Sequence, residues 1–355
     1  MLRRAFLAVS AGVLATAVQV APALAAPTPP PGPGPQTDPL PDRFRSKLAA
    51  PPVTATGRAR GLVIGGDQGA HRIWVMDAGR RDWTPGADPR AVRWSWAPTE
   101  EAGFGDVLAG WGAVSDVRVR TAGRRTYVLA GDSWGYVGAV EYPSGKRLWA
   151  VNAGRPSNVH AAELLPDGNV AAAASTGGWV RVYAASQGPA AAAYTEFKLK
   201  GGHGVLWDPR RRSLWAIGDD DLVELKVGGT ASAPTLTEAR RVALPTQGGH
   251  DLAPVYADRG RLWVTTNFGV YQFHKRSGTF ETDYRYAPSV NLPIIKSVGD
   301  NPVTRQVLLT RPKVGCATTW CTDTVELFGR TSWNATRTLT GAQFYKARWF
   351  TPRYQ

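Results

Sequence analysis

Cysteine, histidine and methionine are scarce in this chain of 355 residues, which has two Cys, five His and two Met. Two cysteines cannot build a four-thiolate zinc site, and the spacing in GCATTWCTD is not that of a thioredoxin-type motif. Windows with helical periodicity are nearly absent, which argues against helical repeats and bundles. Past the first 25 residues there is no long apolar run, so no membrane span is expected there. A G-x-S-x-G elbow, an H-E-x-x-H pair and a phosphate-cradling glycine loop are all missing, and the chemistries that depend on them lose their markers. Carboxylates are the minority charge: 28 Asp and Glu stand against 42 Lys and Arg, for a formal net charge of +14.

Glycine, proline and tryptophan are plentiful instead, with 39, 27 and 14 residues in a chain that is 43% apolar. That mixture suits many short strands joined by tight turns and packed by large aromatics. Six times a polar or charged residue opens a short apolar run: Asp116, His160, His203, His250, Lys296 and Lys346, at spacings of 44, 43, 47, 46 and 50. A period of this size marks repeated supersecondary units. VHAAELLPDGNVAAAAST, HGVLWDPRRRSLWAIGDD and HDLAPVYADRGRLWVTTN each carry an extended run, a turn rich in Pro, Asp and Gly, and a second apolar run ending on a polar residue. A third run follows, as in WVRVYAA and GVYQFHK, then a weaker fourth such as RLWAVNA or EFKLKGG. Four antiparallel strands per unit predict an all-β propeller.

Units beginning at residues 116, 160, 203, 250 and 296 make five. The run GLVIGGDQGAHRIWVMDAGRRDW, from Gly61, has the second and third strands of a sixth but lacks the first. FYKARWFTPRYQ supplies it, placing Lys346 six residues before Pro352, as His160 precedes Pro166 and His203 precedes Pro209. The expected fold is a six-bladed β-propeller closed by pairing of its N- and C-terminal segments in one blade, which removes two open sheet edges. It forms one domain over residues 59–355. Residues 1–25 read as a signal peptide, cleaved before Ala26, with Arg3 and Arg4 resembling a twin-arginine signal as readily as an ordinary one. Residues 26–58, Pro-rich at their start, read as a disordered linker. The expected location is secreted, and Cys316 and Cys321 then close a small disulfide loop that holds Trp320 outward.

Strand geometry places the start of each first strand and the end of each second strand on one face. The six period-marking residues therefore share a face with Asp67, Gln68, Asp132, Ser133, Ser175, Thr176, Asp219, Asp220, Asn267 and Arg311. First strands surround the axis, so the ring lies innermost and forms a polar funnel, the usual shape of a binding site. His160, His203 and His250 can present imidazoles to one divalent ion (Mn, Zn or Ca), with Asp116 or Gln247 adding oxygen. The same histidines can instead touch substrate directly or satisfy loop backbone at the channel mouth. His71 and His274 fall off the register and read as solvent or packing residues. Two ammonium groups, Lys296 and Lys346, repel unless an anion or a carboxylate lies between them.

The charge favours an acidic partner such as a uronate polysaccharide, a teichoic acid or a phosphate, and an exported monomeric propeller is not expected to bind nucleic acid. The stretches VHAAELLPDGNVAAAASTGGWVRVY, HGVLWDP, GHDLAPVY and GAQFYKARW resemble a family of secreted actinobacterial propeller proteins of no assigned function. A more distant architectural likeness is to propeller enzymes with an axial histidine metal site, such as the seven-bladed oligogalacturonate lyases, and to gluconolactonase-like six-bladed enzymes. The acidic ligands of the latter have no clear match here. The likeness implies metal-assisted β-elimination at a uronate. The metal and Lys296 or Lys346 would neutralise the carboxylate, and His160, a lysine of depressed pKa or Tyr345 would take the proton. A metal-dependent hydrolase or lactonase would use the same ring. A non-catalytic binder of an anionic glycan or cell-wall partner would rely more on rim aromatics such as Trp134, Trp179, Trp320 and Phe268.

Overall fold

The computed structural model describes residues 61–329 and 334–355. The segments expected to be a signal peptide and a linker, residues 1–25 and 26–58, and the side chain of Asn334, in the Asn334-Ala335-Thr336 sequence, lie outside the described residues. Among the described residues, twenty-four strands form six four-stranded antiparallel sheets. Blade 1 has the spatial order Phe344–Trp349, Leu62–Asp67, Arg72–Asp77, Val92–Trp96, so its innermost strand comes from the far end of the chain. Blades 2 to 6 each use consecutive strands, opening with Val114–Ala122, Val159–Leu164, Gly204–Asp208, Asp251–Pro254 and Ser297–Asp300. Each first strand contacts the first strand of the next blade, and Phe344–Trp349 contacts both Val114–Ala122 and Ser297–Asp300, which closes the ring. The six-bladed propeller and the shared blade are thus as the repeat predicts.

The blades are held together by face-to-face burial. One apolar cluster fills each of the six gaps: Trp94, Trp96 and Val117 between blades 1 and 2, for example, and Leu206, Trp215 and Phe273 between blades 4 and 5. Both faces of an inner blade are covered, so its strands read as continuous apolar runs rather than alternating ones. Val170–Ala174 (VAAAA), the second strand of blade 3, is wholly buried. Turns follow their composition. In the P-D-G-N turn of blade 3, Gly168 has φ +86°, a conformation costly for any residue with a Cβ. Cys316 and Cys321 form the disulfide, with Cα atoms 5.8 Å apart. Among the described residues the helical content is a few short segments, among them α1 (Ala287–Val290) in the long approach to blade 6.

Candidate functional site

The first strands begin at one face of the ring, and their opening residues line the channel mouth. In three blades the ladder slips at this point. Pairing passes from Val114 opposite Asp132 to Asp116 opposite Gly131, and from Val159 opposite Ala174 to Ala161 opposite Ala173. Ser115 and His160 are the extra residues. In blade 1, Phe344 faces Asp67 and Ala347 faces Gly65, so Tyr345 and Lys346 together oppose Gly66. Bulges of this kind re-aim side chains. Counted from them, Ser115, His160 and Tyr345 are equivalent, as are Asp116, Ala161 and Lys346. This corrects the ring read from the sequence at two of its six positions: Ser115 and Tyr345 stand at the mouth, while Asp116 and Lys346 lie one tier deeper.

The mouth tier is made of Tyr345, Ser115, His160, His203, His250 and Lys296. His160 stacks on His203 with ring centroids 4.4 Å apart, His203 meets His250 edge-on at 5.2 Å, and Tyr345 lies 5.3 Å from His160. Lys296 Nζ is 2.9 Å from His250 Nε2 and 5.8 Å from the Tyr345 ring centre. His250 Nε2 is also 2.6 Å from Asn267 Oδ1. His250 Nε2 carries at most one proton, so it either donates to the Asn267 oxygen or accepts from the Lys296 amine. His203 Nδ1 lies 2.7 Å from the Gly201 carbonyl, which only accepts; the proton is therefore on Nδ1 and Nε2 is an acceptor. Ser115 spends its hydroxyl on the Val159 carbonyl.

Burial and positive neighbours set the charge of this tier. Burial, followed by His203 and Lys346, pushes His160 well below the ordinary imidazole range. Burial and Lys346 lower His203 to about 4, and burial with Lys296 lowers His250 to about 3. Lys296 falls to about 8, chiefly through burial and then through Lys346. At neutral pH the imidazoles are uncharged and Lys296 is the cation of the mouth. Among the described residues no carboxylate forms an ion pair with it.

Beneath lies a column of ion pairs. Lys346 Nζ is 3.5 Å from Asp251 Oδ1 and donates to the carbonyls of His160 and His203 at 3.3 and 3.0 Å. Arg348 bridges Asp116 at 2.8 Å and Asp251 at 2.6 Å. Arg118 reaches Asp116 at 3.4 Å and the Leu252 carbonyl at 2.8 Å, and Arg120 grips Glu163 through two bonds of 2.6 and 2.7 Å. Burial raises the Asp251 carboxyl, but Arg348 and Lys346 overcome it and hold the group well below the usual carboxylate range. Burial lowers Lys346 despite Asp251 and Asp116. Sequence reasoning missed Arg118, Arg120, Glu163, Asp251 and Arg348. The available signal was alternation: charges at 116, 118 and 120, and again at 346 and 348, lie on one face of otherwise apolar strands.

The expected metal set does not fit. A tetrahedral ion needs lone pairs converging at about 2 Å. Here two imidazoles stack, His250 Nε2 is engaged by Lys296 and Asn267, and Asp116 is turned toward Arg348 and Arg118. Among the described residues no group of three His, Cys, Asp or Glu side chains is disposed to hold a metal ion. The catalytic assignments for Lys346 and Tyr345 also change. Lys346 is sealed under the mouth against Asp251, and burial pushes the Tyr345 phenol further above its ordinary range, away from acting as a base.

Of the expected substrate contacts, Asn267 reaches the mouth cluster through His250. Asp67 is buried and spends its oxygens on the Gly69, Ala70 and Gln343 amides and the Trp74 indole. Asp132 accepts from the amides of Gly112, Ala113 and Trp134 while burial raises it to about 7. Both organise loops. Asp219 sits 4.0 Å from Lys200, and Arg311 pairs with Glu326. Gln68 accepts from the Trp320 indole at 3.0 Å, tying the disulfide loop to blade 1. Trp320 is 45% and Phe268 66% exposed on the rim, whereas Trp179 is core. His71 contacts the Gly112 carbonyl and His274 pairs with Glu281, both away from the ring.

Axial burial of this kind, in a closed ring of four-stranded blades, defines the molecule as a six-bladed β-propeller with a neutral-imidazole and lysine mouth. The chain belongs to a family of unknown function (DUF6528), matched over residues 76–353. A protein of unknown function from Bacteroides caccae shares the fold, at 13% identity and a TM-score of 0.55, over 81% of this chain and 97% of that one. A catalytically inactive virginiamycin B lyase from Staphylococcus aureus with quinupristin aligns at 12% identity and a TM-score of 0.46, over 81% and 88% of the two chains. No curated protein matches the chain. No helix among the described residues is long and apolar enough to cross a membrane.

Proposed function

We propose that the channel mouth receives an anionic group, a carboxylate of an acidic carbohydrate or cell-wall polymer, and that Lys296 is its counter-ion. The observation that carries this is the Lys296 ammonium, largely buried, without a carboxylate partner, in a tier whose other members are neutral. Charging an amine there is costly, and an incoming anion repays that cost. The neutral imidazoles and Asn267 supply hydrogen bonds to hydroxyls, while Phe268 and Trp320 offer faces on which a sugar ring can stack. The leader-like N-terminus and the disulfide support an extracellular setting, and the excess of basic residues supports an acidic partner. The test is calorimetric titration of the purified protein with oligogalacturonate and with a neutral oligosaccharide of equal length. Binding of the acidic ligand alone, lost in Lys296→Met, supports the reading; equal binding of both, or no effect of the substitution, overturns it.

A catalytic reading has its own observation, the chain from Lys296 Nζ through His250 Nε2 to Asn267 Oδ1. An amine near neutrality, hydrogen-bonded to an imidazole, is suited to remove a proton next to a carboxylate. In β-elimination at a uronate, the neutral form of the Lys296 amine takes the C–H proton, that electron pair forms the carbon–carbon double bond, and the glycosidic C–O bond breaks with its pair going to the leaving oxygen, which takes a proton from water. No metal is needed for the residues to fill these roles. Appearance of unsaturated product, followed by ultraviolet absorbance, separates a lyase from a binder.

A further inference from the structure

The face opposite the mouth carries exposed charge of one sign. Strands alternate in direction, so the turns that join first to second and third to fourth strands of blades 2 to 6 all lie at the far end of the ring. Arg124 in blade 2, Arg210 and Arg212 in blade 4, Arg259 and Arg276 in blade 5 and Arg305 in blade 6 stand in such turns, and all are exposed. Among the described residues none of these six side chains forms an ion pair. Most carboxylates at this end are already spent: Asp88 on Arg80 and Arg90, Glu141 on Arg125, Asp208 on Lys275 and Asp258 on Arg261. Setting Asp82, Asp167 and the buried Asp300 against the six, three from six, still leaves three arginines in excess. Exposed cations at the mouth end are arranged otherwise. Lys198, Lys200, Arg241, Arg311 and Lys313 each lie within 3.1 Å of a carboxylate.

The six tips stand on four blades around the ring and do not converge, so no single small anion engages them together. A surface bearing many anions does. The guanidinium fork matches phosphate oxygens. Val303, 44% exposed in the same turn as Arg305, sets an apolar tip among the charges. A fluid sheet of phosphodiester headgroups lets each arginine find its own partner and receives the apolar tip beneath them, whereas a stiff duplex reaches only tips that lie along one line. From this one-sided, unpaired set we infer that the far face docks the propeller onto an anionic phospholipid bilayer, with the mouth turned away from it. The inference does not rest on the ligand proposed for the mouth, which lies at the other end of the ring.

The test is co-sedimentation of the purified protein with vesicles of phosphatidylcholine and phosphatidylglycerol, against phosphatidylcholine alone, at low and high salt. Binding to the acidic vesicles only, weakening as salt rises, is expected. Arg124→Gln, Arg210→Gln, Arg259→Gln and Arg276→Gln together should lower the partition coefficient at least about tenfold. The same loss of charge at the mouth end, Arg155→Gln, Lys198→Gln, Lys200→Gln and Lys313→Gln, should leave it within about twofold, because those groups lie beyond the screening length from the bilayer. If the far-face variant does not fold, phenylglyoxal labelling of the unaltered protein decides: vesicles should protect Arg210 and Arg276 but not Arg155. Equal loss in the two variants, equal binding to neutral vesicles, no binding, or labelling unchanged by vesicles overturns the inference, as does tighter capture by duplex DNA than by the acidic vesicles.

Discussion

Lys296 combines a cation, burial and the want of a carboxylate, and its consequences are measurable. Lys296→Met should weaken binding of an acidic oligosaccharide by at least about tenfold, the scale of one charge-assisted contact, in calorimetric titration. With a pKa of about 8, Lys296 sheds its proton as pH rises through that value, so affinity for the anion should fall between roughly pH 7 and 9. The imidazoles give a stability signature. His203 and His250 bind protons near 4 and 3 in the folded state against 6.5 for an unperturbed imidazole, so the unfolded chain takes up protons first as pH falls. Stability should therefore drop as pH falls from about 6.5 toward 4. The groups facing them, Lys296, Lys346, Asn267 and Tyr345, include no carboxylate to reverse that sign. Denaturant unfolding at stepped pH should show a shallower slope in His203→Gln and His250→Gln.

At the scale of single elements, the bulges in the first strands decide which side chains share a tier. They also let consecutive residues, such as Tyr345 and Lys346, both serve the axis. The alternating charges below make each first strand a rung of the ion-pair column, and removing one partner strands the other in a buried site. Glu163→Gln leaves Arg120 and Arg118 short of their counter-ion and should cost about 3–5 kcal/mol in chemical denaturation. The loop closed by Cys316 and Cys321 has a sequence separation of 5, so reduction restores little entropy to the unfolded chain. The Cys316→Ser, Cys321→Ser double variant should lose about 2 kcal/mol or less, while the contact between Trp320 and Gln68 loosens, read by tryptophan fluorescence.

For the molecule as a whole, stability depends on joining the two ends. Phe344–Trp349 is the innermost strand of blade 1 and touches the first strands of blades 2 and 6. The segment after it crosses the far end of the channel: Tyr354 donates to the Leu164 carbonyl, Tyr256 donates to the Arg353 carbonyl, and Gln355 Nε2 donates to the Val255 and Arg261 carbonyls. A chain ending at residue 343 should lose the cooperative unfolding transition and expose the unpaired edge of Leu62–Asp67, seen as aggregation in size-exclusion chromatography. One ending at residue 352 keeps the strand and should remain folded with a lower Tm.

By itself the sequence determined the repeat, the four-strand unit, the six blades, the shared closing blade and the pairing of the two cysteines, because these rest on local periodicity, turn chemistry and count. The three histidines and Lys296 at the mouth were legible for the same reason. Only the tertiary structure decided that Ser115 and Tyr345, not Asp116 and Lys346, complete that tier. A bulge adds one residue without altering the apolar pattern, and the register then moves by one. The ion-pair column was equally out of reach, since it joins Arg348 to Asp116 across 232 residues and Arg118 to Leu252 across 134. Nothing local to a strand specifies which opposite charge the ring will bring across the axis, and that choice turned an expected metal ligand into the partner of an arginine.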